Sequence, residues 1–563
     1  MPKFILDGKE IEFKPGQTII QAAYEAGIDI PHFCWHPALS IAGNCRICLV
    51  EVEKLPKQVI ACATLATENM VVHTMSDKAV HARNAVMEFL LINHPLDCPI
   101  CDEAGECKLQ DYAYKYSVGE SRFDETKNHK DKRVELGPNV MLDQERCILC
   151  SRCIRFCEEI AKEPELTFAE RGEKVFIDTF PDEKLDNPYS MNVIEICPVG
   201  ALTSKDFRFK ARVWDMSHTD SVCVGCARGC NDNIWVRDNK ILRLTPRMNL
   251  DVNQYWMCDW GRLNTFKHIN DTETRVNSPL VRPAEGGMFE DGKYDLLKCD
   301  WDDAIARVIS EVKNFKPEEI GFVASPFTTL EDNFVLKRFA EEVIGTSSIG
   351  FIPKIVENDE DDILIRADKT PNATGLKLLG IKPISREFID NILNGKLKLV
   401  YIIHDSISRL SNAEEMMKKI EVGVMHITNF VPSSLKATVV FPASTYAEMY
   451  GTIVNFQGRV QRIMPAVATI EEERLPGDFS VSRLDKFGAH NDKWTRGAKF
   501  NARPAWRVIM QVAKAMGHDF NYDNASDVFD DIAVKIPAFS GMDYNSIGTY
   551  GQLANRKVPE EVK

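Results

Sequence analysis

A multidomain chain of mixed class is what this sequence predicts: α+β through a cysteine-rich first half, α/β beyond about residue 270. Three observations predict it. Sixteen of the 17 cysteines fall within the first 258 residues, almost all in four spaced sets. After about Asn270 the cysteines nearly vanish, and short apolar strands alternate with amphipathic helices. The 563 residues suffice for three or four domains, each with its own core, and a composition of 44% hydrophobic and 27% charged residues is that of a soluble globular protein. A net charge of −14 argues against a nucleic-acid surface, which needs a basic patch, and serves solubility. The start, MPKFILDGKEIEF, carries no signal-peptide core or cleavage pattern. No run of about 18 apolar residues occurs, so any membrane role is expected only through partners. The cysteines are therefore expected in a reducing compartment, where Cys-x-x-Cys signifies metal or redox chemistry.

The head begins with strand-like stretches at Lys3–Leu6 and Ile11–Phe13 and a short amphipathic helix from about Gln17 to Ala26. The first set follows: Cys34, Cys45, Cys48 and Cys62, spaced C-x10-C-x2-C-x13-C. Plant-type [2Fe–2S] ferredoxins use C-x4-C-x2-C with a remote fourth cysteine. This chain keeps the C-x2-C and widens the first gap, and Gly43 and Asn44 both tolerate the positive φ of a loop turning around a cluster. Four buried, inert thiols are the structural alternative.

The second set is His94, Cys98, Cys101 and Cys107. Three cysteines and a histidine suit structural zinc as well as iron, and the spacing does not choose between them. Cluster sets on either side favour iron. A neutral nitrogen in place of a thiolate makes such a site less negative and easier to reduce. The third set, Cys147, Cys150 and Cys153 completed by Cys197 of Cys-Pro-Val-Gly-Ala-Leu, reads as one [4Fe–4S] site, because no second C-x2-C-x2-C run exists to share ligands. Cys157 is left over as a packed thiol. The fourth set, Cys223, Cys226, Cys230 and Cys258, has Gly225 and Gly229 to let backbone N–H groups approach the sulfurs, with four-cysteine zinc as its rival. Arg46, Arg152 and Arg155 beside these cysteines either offset cluster charge or pair with surface carboxylates.

In the second half, Asp302–Phe315 reads as a helix with Ile305, Val308, Ile309 and Val312 on one face and Asp302 or Asp303 as cap. Ile320–Ala324, Leu399–Ile403, Val424–Ile427 and Val439–Phe441 read as buried strands, with helices at Asp332–Ile344, Ala413–Ile420 and Pro504–Met516. This alternation argues a parallel sheet. Neither a G-x-G-x-x-G turn nor a phosphate loop is present, so no NAD or flavin site is expected. Glu471–Ala502 reads as polar loop, and the last fifteen or so residues as a loose tail.

Taken together, the ordered sets resemble the large iron–sulfur subunit of respiratory complex I, the bacterial NADH–quinone oxidoreductase. The points of resemblance are His94–Cys107, Cys147–Cys157 with Cys-Pro-Val-Gly-Ala-Leu, Cys223–Cys258, Ile365-Arg-Ala-Asp-x-x-Pro-Asn-Ala-Thr-Gly375 and Tyr450-Gly-Thr-Ile-Val-Asn-Phe-Gln-Gly-Arg-Val-Gln461. The resemblance implies a [2Fe–2S] ferredoxin-like (β-grasp) head over 1–78 and a histidine-plus-three-cysteine [4Fe–4S] segment over 79–135. It implies a bacterial-ferredoxin-like [4Fe–4S] domain over 136–215, a [4Fe–4S] domain of molybdopterin-oxidoreductase type over 216–273, and a truncated molybdopterin-oxidoreductase-like α/β body over 274–563. The implied cofactors are one [2Fe–2S] and three [4Fe–4S] clusters without molybdopterin. The implied partners are a flavin/NADH-binding subunit and quinone-side iron–sulfur subunits, in the peripheral arm of a complex on the cytoplasmic face of the inner membrane. Electrons would pass from the flavin subunit through the first, third and second sets, with the fourth off the main path. Catalytic molybdenum relatives such as formate dehydrogenases commonly carry a lysine just past the last cluster cysteine; here Asp259-Trp260-Gly261-Arg262 follows Cys258, and Cys299 comes too early to be a metal ligand in the body. A catalytic molybdenum or tungsten oxidoreductase and the diaphorase-side subunit of an NAD-linked hydrogenase are the alternatives.

Overall fold

Apolar residues at alternate positions build the first sheet, and the chain's turns set its order. The computed structural model describes residues 1–117, 119–283, 296–404, 407–475, 477–481 and 497–555. They fall into two units, Met1–Val213 and Trp214–Lys563. In the first unit, Lys3–Leu6 runs antiparallel to Lys9–Glu12 and parallel to Val71–His73, with Leu49–Val52 and Val59–Ile60 completing a five-stranded sheet. Asp7 and Gly8, at φ 47° and 81°, supply the left-handed pair that a two-residue hairpin requires. Phe4, Leu6 and Ile11 point inward, against Ile19, Ile20, Ala22 and Ala23 of helix Ile19–Glu25. Thr18 and Gln21 cap that helix reciprocally. Helix Asp77–Asn93, capped by Ser76, carries the chain onward, and three-stranded sheet Val134–Glu135, Val140–Leu142 and Leu202–Ser204 follows.

The second unit opens with antiparallel strands Ser217–Val222, Asn231–Arg237 and Lys240–Pro246. Its body is built on a seven-stranded sheet in which Val439–Pro442, Val422–Ile427, Leu399–Ile403, Ile320–Ala324 and Ile349–Phe351 are mutually parallel. Side chains alternate between two buried faces. Phe322, Leu399, Tyr401 and Val424 enter one core, and Val323, Val400, Ile402 and Met425 enter the other. Continuous apolar runs are what a doubly covered parallel sheet demands.

The strand and helix expectations in this half agree with the structure to within a few residues, with four corrections. The first long helix is Trp301–Val312; Asp300 occupies its cap position and makes no side-chain cap bond, while Asp302 and Asp303 sit in the first turn, where they complement the helix dipole. Asp332–Ile344 is an α-helix over Leu330–Arg338 that widens into a π turn over Phe339–Ile344. Phe479–Val481, read as loop, pairs with Ser217–Thr219; residues 482–496 of that stretch lie outside the described residues. Gln552–Leu553, read as tail, pairs with Arg459–Val460, and the rest of that tail from 556 lies outside the described residues. Three-residue and two-residue strands carry too little periodicity to be read without the partner strand that stabilises them.

Glu331, fully buried in the first turn of helix Leu330–Arg338, ties this body together. It accepts hydrogen bonds from Thr452 N (2.8 Å), Thr452 Oγ1 (3.0 Å) and Tyr544 Oη (2.8 Å). Burial outweighs these donors and pushes its carboxyl from 4.5 up to about 7. The folded state therefore holds a proton that the unfolded chain releases. This stabilisation is full below about pH 4.5 and is lost as pH rises through about 7. Its size is at most about 3 kcal/mol. The unfolding midpoint of the chain is expected to fall between about pH 5 and pH 8, and Glu331→Gln to flatten that fall; thermal melts across the range check it.

Candidate metal centres

Loops at strand and helix ends place the first set. Cys34 follows helix Ile19–Glu25, Cys45 and Cys48 precede strand Leu49–Val52, and Cys62 follows strand Val59–Ile60. The structure brings all four together: Cys34 shares hydrogen bonds with Cys45 and Cys62, and Cys48 with Cys62. The Cys34 N–H also donates to Cys45 Sγ at 3.4 Å. Bonds from Cys45 and then Cys62 hold the Cys34 thiol well below its usual range, and the bond to Cys34 raises Cys62. The loop turns on Gly43 (φ 64°) and Arg46 (φ 62°) rather than on Asn44. Asn44 instead donates to the Leu149 carbonyl, in the loop of the third set, at 3.2 Å.

In the second set His94 closes the C-terminus of helix Asp77–Asn93, Cys98 opens a 3₁₀ turn, and Cys107 caps helix Lys108–Tyr116, its Sγ 3.5 Å from Gln110 N. Cys101 and Cys107 are buried and Cys98 is exposed. Cys101 feels both Cys98 and Arg146, and Arg146 also faces His94. Burial, then Arg146, pushes the imidazole down to about 4, so it is neutral at pH 7, the form that ligates metal. Asp97 anchors the loop to Arg146 (3.0 Å) and Lys132 (2.6 Å).

The third set converges on one small cavity, lined by Cys147, Cys150, Cys153 and Cys197 with Arg152 and apolar Leu142, Ile148, Ile177, Val199, Ala201 and Leu202. Leu149 and Ser151, at φ 55° and 61°, adopt the left-handed conformation that bulky residues avoid, and the Leu149 N–H points at Cys147 Sγ (3.4 Å). Cys157 is buried at the start of a π turn and does not line this cavity. The loop carrying Cys197 also walls the second set. The Pro198 carbonyl accepts from Lys108 N at 3.1 Å, and a Cβ on Gly200 would lie 2.3 Å from Cys101 Sγ.

The fourth set lies in the second unit. Cys223 and Cys230 are joined by Cys223 N to Cys230 O (2.8 Å), at the end of one strand and the start of the next. Gly225 N points at Cys223 Sγ and Gly261 N at Cys258 Sγ, each at 3.4 Å. A Cβ on Gly261 would stand 3.1 Å from Cys223 Sγ and 3.2 Å from Cys258 Sγ, so both sulfurs face that glycine. The two body motifs cradle this loop. Ala227 N donates to Asp368 O and Phe456 N to Ala227 O, both at 2.9 Å, and Gln461 Nε2 donates to Gly229 O at 2.9 Å.

Burial pushes Cys107, Cys147 and Cys258 up to about 12, and holds Cys153, Cys197, Cys223 and Cys230 well above the usual thiol range. These sulfurs stay protonated unless a cation compensates them, which is how metal uptake and proton release become coupled. Among the described residues no three His, Cys, Asp or Glu side chains converge as one metal ion would require. The residues fit a larger group: four sulfurs around a cavity, N–H groups aimed at sulfur, and glycines where a side chain would collide with it. Gly200 and Gly261 were not singled out from the sequence; each stands within three residues of a candidate ligand, in Cys-Pro-Val-Gly and Cys-Asp-Trp-Gly. The surface-carboxylate alternative is not what the structure holds for Arg152 and Arg155, which are buried on backbone carbonyls, whereas Arg46 is exposed.

Five family models match. They are a 2Fe-2S iron-sulfur cluster binding domain (2–77), the NADH-ubiquinone oxidoreductase-G iron-sulfur binding region (83–122), the ferredoxin-like domain of NADH-quinone oxidoreductase subunit 3 (137–203), the NADH-ubiquinone oxidoreductase NDSU1/NuoG-like 4Fe-4S domain (216–265) and molybdopterin oxidoreductase (372–475). The G-type subunit of NADH-quinone oxidoreductase from Rickettsia bellii is 43% identical over 344 residues, 61% of this chain and 48% of that protein. The mitochondrial NADH dehydrogenase [ubiquinone] iron-sulfur protein 1 of Solanum tuberosum is 44% identical over 333 residues, 59% and 43% of the two chains. The NADH-ubiquinone oxidoreductase 75 kDa subunit of Reclinomonas americana is 40% identical over 377 residues, 65% and 52%. A chain of a crystal structure of NAD+-reducing [NiFe]-hydrogenase is 34% identical, covering 38% of this chain and 91% of that one at a TM-score of 0.35. The chain spans about half the length of the curated relatives it matches. No helix among its described residues is long and apolar enough to cross a membrane. In the order of its iron–sulfur domains and at that identity, the chain is similar to the G-type subunits of NADH-quinone oxidoreductase and their mitochondrial 75 kDa counterparts.

Proposed function

We propose that this chain is an electron-transfer subunit of an NADH:quinone oxidoreductase, relaying electrons from a flavin/NADH-binding subunit toward quinone-side iron–sulfur subunits. The observation that carries the reading is the convergence of Cys147, Cys150, Cys153 and Cys197 on one cavity, in a chain with three further sets in the same order as the family. Cys34, Cys45, Cys48 and Cys62 hold a [2Fe–2S] cluster. His94, Cys98, Cys101 and Cys107 hold a [4Fe–4S] cluster, as do Cys147, Cys150, Cys153 and Cys197, and Cys223, Cys226, Cys230 and Cys258. Bound there, the clusters would supply one-electron exchange, which no side chain here offers. The chain's own residues supply the rest: thiolate ligands, N–H donors from Leu149, Gln110, Gly225 and Gly261 toward sulfur, and apolar walls that exclude water.

The domain limits follow the sets, at 1–78, 79–135, 136–215, 216–273 and 274–563. The sheet order of the head, with its first strand parallel to Val71–His73 beside helix Ile19–Glu25, supports a β-grasp fold. The body is a shortened molybdopterin-oxidoreductase scaffold without molybdopterin, and its part is to brace the fourth set, a role supported by the bonds from Asp368, Phe456 and Gln461. The complex stands on the cytoplasmic face of the inner membrane, this chain in its peripheral arm.

Elemental analysis of anaerobically purified chain is expected to give about 14 iron atoms and neither molybdenum nor tungsten; stoichiometric molybdenum or tungsten would instead make it a catalytic subunit. Gly200→Ala, which drives a methyl group into Cys101 Sγ, is expected to remove about four of those irons while sparing the others. In the assembled complex, Cys150→Ser is expected to slow NADH-to-quinone electron transfer at least about 100-fold while leaving reduction of an artificial acceptor at the flavin near wild type. An unchanged rate to quinone would place the third set outside the path.

A further inference from the structure

Arg152 and Arg155 are 4% and 8% exposed, and among the described residues neither has a carboxylate within ion-pair distance. Arg152 donates to the carbonyls of Ile196 (3.0 Å) and Trp35, next to candidate ligands Cys197 and Cys34, and its Nε has no partner. The sulfurs of Cys150 and Cys197 in the third set, and of Cys45 and Cys34 in the first, lie within its electrostatic reach. Arg155 donates to the carbonyls of Cys34 (2.5 Å) and Cys150 (3.4 Å), one ligand from each set, and to Ser151 Oγ (3.2 Å) and Ser40 O. The other ionisable groups nearby do not neutralise the pair. His32, His36 and Lys108 are neutral or positive, and Glu159 bonds to Ser40 rather than to either guanidinium.

Two buried guanidiniums without an anion are costly, because arginine cannot shed its proton. The carbonyls and the Ser151 hydroxyl accept from their N–H groups without cancelling their charge. A four-thiolate iron–sulfur cluster is a net anion, and two such anions flank this pair. We infer that Arg152 and Arg155 are positioning and charge-compensating residues shared by the first and third sets: the buried counter-ion of both clusters and the clamp that fixes the Cys34 loop against the Cys150 loop. This rests on the cluster assignment above. Its consequence is that both centres are held at higher potential by one common charge, so removing that charge moves both together.

The test is an EPR-monitored redox titration of the full chain, with dithionite as reductant, alongside iron content per chain, for wild type, Arg152→Gln, Arg155→Gln and the two Lys variants. Each Gln variant is expected to lower the reduced-to-oxidised ratio at a fixed poise about tenfold at both centres, equivalent to about 59 mV for a one-electron couple. The Lys variants, which restore charge, are expected to stay within about threefold of wild type. Loss of iron in the Gln variants with retention in the Lys variants also supports the assignment, since charge alone rescues. A shift at only one centre, no shift at normal iron content, or equal loss in Gln and Lys variants overturns it. A wild-type chain without a [2Fe–2S] signal overturns the cluster reading itself, and this inference with it.

Discussion

Charge that must be buried without water is the constraint from which the rest of this structure follows. A thiol in a dry loop keeps its proton, and a guanidinium in the same place keeps its charge. Each is unfavourable alone. In the first unit the two kinds of group are placed side by side, Arg152 and Arg155 between Cys34 and Cys150, and Arg146 between Cys101 and His94. Asp97 and Asp143 meet the charge of Arg146, whereas Arg152 and Arg155 donate to backbone carbonyls and the Ser151 hydroxyl, so for these two what remains to be settled is net charge. An anionic inorganic centre settles it in a way no protein side chain does, since a carboxylate there would itself need desolvating.

The second unit meets the same constraint by bracing. Its fourth set sits in a hairpin-like loop whose backbone is tied to the body at Asp368, Phe456 and Gln461. Those three residues lie in two segments far apart in sequence, brought together by Asn372, which accepts from Val454 N at 2.9 Å. The hydrogen bonds thus anchor the loop to the body that carries the large apolar core.

How much of this was legible in the sequence depends on the range of the interaction. Spacing marked every candidate ligand, because cysteine clusters are rare and local. The long body strands were legible because Leu399–Ile403 and Ile320–Ala324 are buried on both faces and read as continuous apolar runs. Phe479–Val481 and Gln552–Leu553 were not, because their order comes from partner strands more than 90 residues away. Asn44 was assigned the left-handed turn that Arg46 takes; the amide is instead occupied with Leu149, a contact 105 residues distant. The arginines beside the cysteines were visible, but whether they faced solvent or the sulfurs was decided by packing.

The loop from Cys197 to Ala201 couples the second and third sets. Its first residue lines the third set's cavity, and its fourth closes on Cys101 of the second. Until Cys197 is fixed, Gly200 and the Pro198 carbonyl have no settled place against Cys101 and Lys108. Whatever fixes Cys197 in the third set thereby fixes part of the wall of the second. Five residues thus wall both sets, so a change in this loop is felt at both, and Cys98 leaves the second of them open to solvent.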